Sequence, residues 1–186
     1  VTRQFSRQAA AGEQLMREQL LLAVGELLDV AFFAGTGIEG QPTGLLNTTD
    51  VGTQSGTSLA LAGLLAMRDT VLAAGGREAN LQWVGHPGVQ QILGARESAS
   101  GNGGFLWGRR QILDAPAHAT RNAPSATLVC GDYSTAILGM WGPPALKVEV
   151  DPFSAFNTGQ IRARIIFMVD FAFPRPEAFV VASSIT

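Results

Sequence analysis

Few residues in this 186-residue chain combine type and spacing in a way that could do chemistry. Gly35-Thr36-Gly37-Ile38-Glu39-Gly40 fits the G-x-G-x-x-G pattern, whose glycines let the backbone approach a pyrophosphate at a helix N-terminus. That chemistry needs a strand before the glycines and a helix after them. Here helical spacing precedes them and Pro42 and Gly44 follow, so the expectation is a helix stop feeding a turn. A small nucleotide-binding enzyme using Gly35–Gly40 is the alternative. The chain has no G-x-S-x-G elbow and no phosphate-binding loop ending in Gly-Lys-Ser/Thr, and Lys147 is isolated in a strand-like segment. His86 precedes Pro87 and is placed to cap a helix there, while His118 lies in an alanine-rich loop. Neither has a serine, cysteine or carboxylate constellation beside it in sequence. With one cysteine, Cys130, and two histidines, a disulfide and a zinc cluster are both out of reach. Cys130 ends the apolar run from Thr127 and reads as a buried structural thiol. No catalytic residue, metal or cofactor is assigned.

Composition points the same way. Charged residues are 15% of the chain, against about 25% in ordinary soluble domains. Of its 13 basic residues, 12 are arginine, a bias shared with protein interfaces and equally with GC-rich coding. A net charge of −2 argues against an extended nucleic-acid footprint. The apolar stretch Leu20–Ala34 is interrupted by Gly25, Glu26 and Asp29, so it falls short of the roughly 18–20 residues of a bilayer span. Two arginines in Val1–Arg7 are not followed by a signal-peptide core. A soluble, intracellular protein without a membrane partner is expected.

These residues must be held by a scaffold that periodicity outlines. From Ser6 to Ala34 there is no proline, and Met16, Leu20, Val24, Leu27, Leu28 and Ala31 recur at helical spacing. They predict one long helix with a core-facing stripe, Ser6 as N-cap and Gly35 as terminator. Gln41-Pro42-Thr43-Gly44 predicts a turn. A second helix, capped by Thr57 or Ser58, presents Leu61, Leu64, Leu65, Val71 and Leu72 on one face and stops at Gly75-Gly76. A short buried strand Leu81–Gly85, a helix from Pro87 through Ala95 and a flexible loop Ser98–Gly104 follow. Strands are predicted at Gln111–Leu113, Ala126–Cys130, Ala136–Trp141 and Leu146–Val150. From Ile161 to Phe173 every odd position is apolar, while Arg162, Arg164 and Asp170 take the other face. That predicts one long strand with a face committed to a core, followed by a last strand Ala178–Ala182. Helices early and strands late make an α+β fold. Arg109-Arg110 reads as solvated. Arg162 and Arg164, neighbours on one strand face, are candidates for a subunit interface, as are Arg17 and Glu18 on the long helix.

Several segments, in this order, carry a resemblance. They are Val1-Thr2-Arg3-Gln4-Phe5-Ser6-Arg7-Gln8 entering the long helix, Asp29 to Gly37 with Gln41 to Leu46 at its exit, Ile112 to Ala117, Gly131-Asp132-Tyr133-Ser134, and Arg162–Asp170 with Pro176 to Val180. Together they resemble the major capsid proteins of tailed bacteriophages with the Hong Kong 97-type shell fold, although Asp114 stands where that family usually has glycine. The resemblance implies a spine helix, a peripheral-domain sheet and an axial domain. It places 1–58 in the peripheral domain, 59–150 mainly in the axial domain, and 151–186 as closing strands that return to the peripheral domain. It further implies a structural virion protein that assembles in the bacterial cytoplasm. Hexamers and pentamers of the chain itself would tile an icosahedral shell, with only nonspecific proximity to packaged double-stranded DNA. An encapsulin-type compartment shell is the nearest alternative. The family's N-terminal arm and extended loop have no counterpart ahead of the helix, and Val1 is not an initiator methionine. The expectation is therefore an N-terminally shortened chain that forms a monomer or small ring.

Overall fold

The long proline-free apolar segment does fold as a helix, α1 (Ala10–Ala34). The computed structural model describes residues 10–98, 104–142, 146–151, 158 and 162–186, so the expected cap at Ser6 and most of the loop at 98–104 lie outside the described residues. Among the described residues there are two further helices, α2 (Leu61–Ala73) and α3 (Pro87–Ala95), and ten strands. The strands are β1 (Gly52–Ser55), β2 (Leu81–Gly85), β3 (Gln111–Ile112), β4 (Ala115–Ala119), β5 (Leu128–Asp132), β6 (Ile137–Met140), β7 (Leu146–Asp151), β8 (Arg162–Phe167), β9 (Val169–Ala172) and β10 (Phe179–Ser183). The α+β class expected from the sequence is observed.

By its internal contacts the chain divides into two units, residues 1–28 with 139–170 and residues 29–138 with 171–186. The dividing line passes through α1, β6 and β9, so it cuts across the order of the segments along the chain.

The second unit is built on a mixed six-stranded sheet in the order β1-β10-β5-β2-β4-β3. Because successive strand residues point to opposite faces, its central strands feed two cores. Leu128 and Cys130 of β5, Val180 and Ala182 of β10, and Leu81 and Trp83 of β2 pack with Leu64, Met67 and Val71 of α2 and Val89 and Leu93 of α3. Val129 of β5 and Phe179 and Val181 of β10 face the other way, onto Phe33 at the end of α1 and Leu45. Phe32 extends this second core through edge-to-face contacts with Phe171 and Phe173, each with ring centroids 5.4 Å apart.

The helix ends show why the local signals succeed or fail. α2 stops as predicted. Gly75 takes a left-handed φ of 84°, and the N–H groups of Gly76 and Gly75 donate to the carbonyls of Val71 and Leu72, each at 3.0 Å, the hydrogen-bond pattern of a Schellman cap. Its start differs from expectation, because neither Thr57 nor Ser58 caps it. Ser58 has a φ of 52° in a turn closed by Leu59 N–H to Gly56 O at 3.1 Å, and the N-cap is Ala60, which has no side-chain cap. At α3 the cap is His86, whose Nδ1 accepts from Gly88 N–H at 3.1 Å, with Pro87 in the first turn.

Four other expectations need correction. The expected core-facing stripe of α1 is only half-buried at Leu20, Val24, Leu28 and Ala31 and exposed at Leu27, and Leu65 of α2 is exposed as well. The turn near residue 41 lies earlier, with Gln41 N–H donating to Ile38 O at 3.1 Å and Glu39 and Gly40 both at positive φ. His118 is not in a loop but on β4, where it pairs with Val84. The long strand from residue 161 to 173 is two strands, β8 and β9, interrupted at Met168. β8 pairs with β7 and β9 with β6, and each has its own register. Its odd positions from Ile165 to Phe173 are half-buried rather than buried.

Candidate assembly surfaces

The glycine loop after α1 closes on its own backbone. Gly35 N–H donates to Ala31 O at 2.9 Å and Gly44 N–H to Gly35 O at 2.8 Å, while Asn47 Nδ2 donates to Gly35 O at 2.8 Å. A Cβ on Gly35 would collide with the Pro42 carbonyl oxygen, and one on Gly44 would lie 2.5 Å from Gly35 N. The glycines therefore permit a close crossing of two backbone segments at the helix exit. Carbonyl oxygens and an asparagine amide fill the space that a pyrophosphate would need beside a dinucleotide fingerprint.

A second polar knot lies at Asp132, at the end of β5 and only 1% exposed. Its carboxylate accepts from Ser134 Oγ at 2.6 Å, Ser134 N–H at 3.1 Å and Arg77 N–H at 3.0 Å. Burial by itself raises the pKa of this group, but the hydrogen bonds from Ser134 and Arg77 outweigh it and hold the carboxyl below its ordinary value. The Gly131-Asp132-Tyr133-Ser134 segment is thus a latch between the end of β5 and the turn after α2. Next to it, burial pushes the Cys130 thiol well above its ordinary range, more than the nearby Arg68 charge lowers it. This is the environment of an inert structural thiol. Tyr133 is likewise pushed up by burial and by Cys130.

The expected interface residues fall in the first unit. Arg162 and Arg164 are exposed on β8. The β7–β8 register sets them opposite Asp151 and Glu149 respectively and sets Lys147 opposite Ile166, so the partner strand of the basic rail read from β8 alone is of mixed charge. Arg17 lies within α1 with its side chain outside the described residues, and Glu18 is exposed on the same helix. Helix and hairpin are separate elements, and each pair stays together on its own.

Sequence reasoning missed several exposed apolar residues at and just after β6 and β8. Met140, Trp141, Ile166 and Met168 are all exposed. Trp141 N–H donates to Met168 O at 3.1 Å, and its indole lies over Gly139, where an added Cβ would come within 2.8 Å of the ring. Ile166 and Met168 interrupt the polar face of the 161–173 alternation, and that was the available signal. Among the described residues no group of His, Cys, Asp and Glu is arranged to hold a metal, and no helix is long and apolar enough to cross a membrane.

Exposed apolar side chains of this kind are available for packing against another surface. Comparison with known proteins agrees, because the model of the phage capsid family matches residues 1–184. The chain belongs to the phage capsid family. A major capsid protein of Halomonas phage phiHAP-1 is 29% identical over 190 aligned residues, which take in 98% of this chain and 30% of that protein. The chain thus spans under a third of the length of that curated relative. Among solved structures, the capsid of an empty GTA particle aligns over the whole chain and 70% of its own, with a TM-score of 0.74 at 18% identity. A chain from Gordonia phage Cozz aligns over 98% of this chain and 67% of its own, with a TM-score of 0.67 at 16% identity. At such identities the structural likeness establishes the fold, and the fold is that of capsid subunits.

Proposed function

We propose that this chain is the body of a phage major capsid subunit, a structural virion protein that packs against copies of itself as hexamers and pentamers of an icosahedral shell around double-stranded DNA. The family match over residues 1–184 carries the reading. The capsid-subunit fold over the whole chain and the low charge of 15% support it. Its work is assembly in the bacterial cytoplasm rather than catalysis. In this reading residues 1–58 and 151–186 serve the peripheral domain and 59–150 mainly the axial domain. Arg162, Arg164, Arg17 and Glu18 lie at subunit boundaries.

Electron microscopy of the purified full-length protein is expected to show five- and six-fold rings or closed shells of uniform diameter. A protein that stays monomeric at every concentration and binds a nucleotide saturably overturns the proposal. Shells that enclose protein rather than DNA in the cell point to the compartment alternative.

A further inference from the structure

From the last residue of β10 onward the chain is fastened to three segments of the second unit that are distant in sequence. Gly56 N–H donates to Ser183 O at 2.9 Å and Ile185 N–H to Ala126 O at 3.1 Å. Arg96, the C-cap of α3, donates through its guanidinium to Thr186 O and, at 2.7 Å, to Leu59 O. Ile185 is buried in the same core as Leu59 and Leu93, whereas Ser183, Ser184 and Thr186 around it are exposed.

The crossing is tight and strained. A Cβ on Gly56 would stand 2.4 Å from Ser183 O and 2.6 Å from Ile185 Cγ1, so the segment passes where only a glycine leaves room. Ser184, just before the Ile185 amide, and Ala126, which accepts from it, hold φ of 59° and 54°. That left-handed backbone is costly for residues with a Cβ and persists only where the surroundings enforce it. Ser183–Thr186 therefore hangs on one buried side chain, two backbone hydrogen bonds and one guanidinium, against strain on both sides of the crossing.

We propose that Ser183–Thr186 is a strap that opens as a unit while the sheet stays folded, with Arg96 as its latch. Segments with few buried contacts open ahead of the core, and Ile185 is the one buried residue of the four. The sheet itself is held differently, since β5 is paired on both sides, with β10 and with β2. Arg96 suits a latch because its planar fork reaches two carbonyl oxygens at once, and hydrogen bonds from a charged donor are the stronger kind. Opening withdraws Ile185 from beside Leu59 and Leu93 and frees Gly56 N–H and Ala126 O. A closed corner of the second unit thereby becomes an apolar slot flanked by one donor and one acceptor.

Amide hydrogen exchange of the dispersed protein at rising urea tests this, with Gly56 and Ile185 reporting the crossing and Cys130 of β5 reporting the sheet. Gly56 and Ile185 are expected to be protected at least about tenfold less than Cys130, and their exchange should depend little on urea, because a local opening exposes little surface. Arg96→Ala is expected to lower the protection of both crossing amides by about tenfold. Cys130 should fall by the same factor, since the unfolded chain has lost that contact too. Arg96→Lys, which keeps the charge without the fork, should lie between. Gly56→Ala pushes a methyl group into the strap and should leave Ile185 nearly unprotected while Cys130 stays protected.

If Gly56, Ile185 and Cys130 share one protection and one urea slope in the wild type, the segment belongs to the cooperative unit of the sheet and the strap is wrong. If Gly56→Ala removes the protection of Cys130 together with that of Ile185, the strap is wrong as well. If Arg96→Ala lowers the protection of Cys130 alone, opening does not break the Arg96 contact and the latch is overturned. All of these outcomes are read on dispersed protein, so they leave the shell-building reading untouched.

Discussion

Trp83 and Trp141 are the same side chain in two settings. Trp83, on β2, has none of its surface exposed and packs with α2, α3 and the central strands. Trp141, just past β6, is 55% exposed and rests on its own strand. The second unit has strands whose two faces each carry a core, although Val30, Ile38, Leu65, Phe105, Ile137 and Leu138 of the same unit stay exposed. In the first unit, the apolar side chains that are described are exposed or half-buried. The contrast teaches that one residue type is closed over or left open according to which layers its strand packs against within the chain.

The sharpest way to break this comparison is to truncate both tryptophans. Trp83→Ala should cost about 3–5 kcal/mol of unfolding free energy, as for a large side chain removed from a closed core. Trp141→Ala in dilute protein should change it by less than about 0.5 kcal/mol. Urea titration of the two variants checks this, and similar losses would mean that Trp141 already belongs to an intrachain core.

Next in size is the latch at Asp132. Asp132→Ala leaves the Arg77 and Ser134 donors without their carboxylate and should cost about 2–3 kcal/mol. Because its folded pKa is depressed, the carboxylate's contribution is fully present above the ordinary value of about 3.9 and is lost as pH falls through the lower folded value. Asp132→Asn should therefore flatten the acid limb of stability. Urea midpoints at neutral and strongly acid pH test it, and an unchanged acid limb would remove the latch from the second unit's stability.

The smallest effect lies in the β3–β4 turn. Leu113 and Asp114 have φ of 49° and 64°, the geometry of a two-residue turn that favours Asn-Gly. Leu113 accepts it because its side chain packs against the core. Asp114 is exposed and has no such return. Asp114→Gly should raise the unfolding midpoint, by about 0.5–1 kcal/mol in free energy. A loss instead would show that the aspartate side chain supports the turn.

Much of this was readable before the fold was known where the signal is local. The end of α1 at Ala34, the stop at Gly75-Gly76, His86 as a cap before Pro87 and the burial of Cys130 depend on nearest neighbours in the chain. The apolar residues of β2, β5 and β10 marked strands because buried strands need them on both faces. The start of α2 misled because a serine suits a cap only when its own backbone is extended, and Ser58 is held at positive φ. β4 was hidden because Ala115–Ala119 has little strand propensity of its own, and its pairing with β2 holds it extended.

The sequence by itself determined the element types, the terminators and the family likeness, because side-chain periodicity and turn chemistry act over a few residues. Only the tertiary structure decided which apolar faces are covered. The alternation from Ile161 to Phe173 is equally regular on both sides of Met168. The break there, the opposition of Arg162 and Arg164 to Asp151 and Glu149, and the exposure of Trp141 beside Met168 follow from which strands pair. Pairing joins residues far apart in the chain, and periodicity along one strand holds no information about its partner.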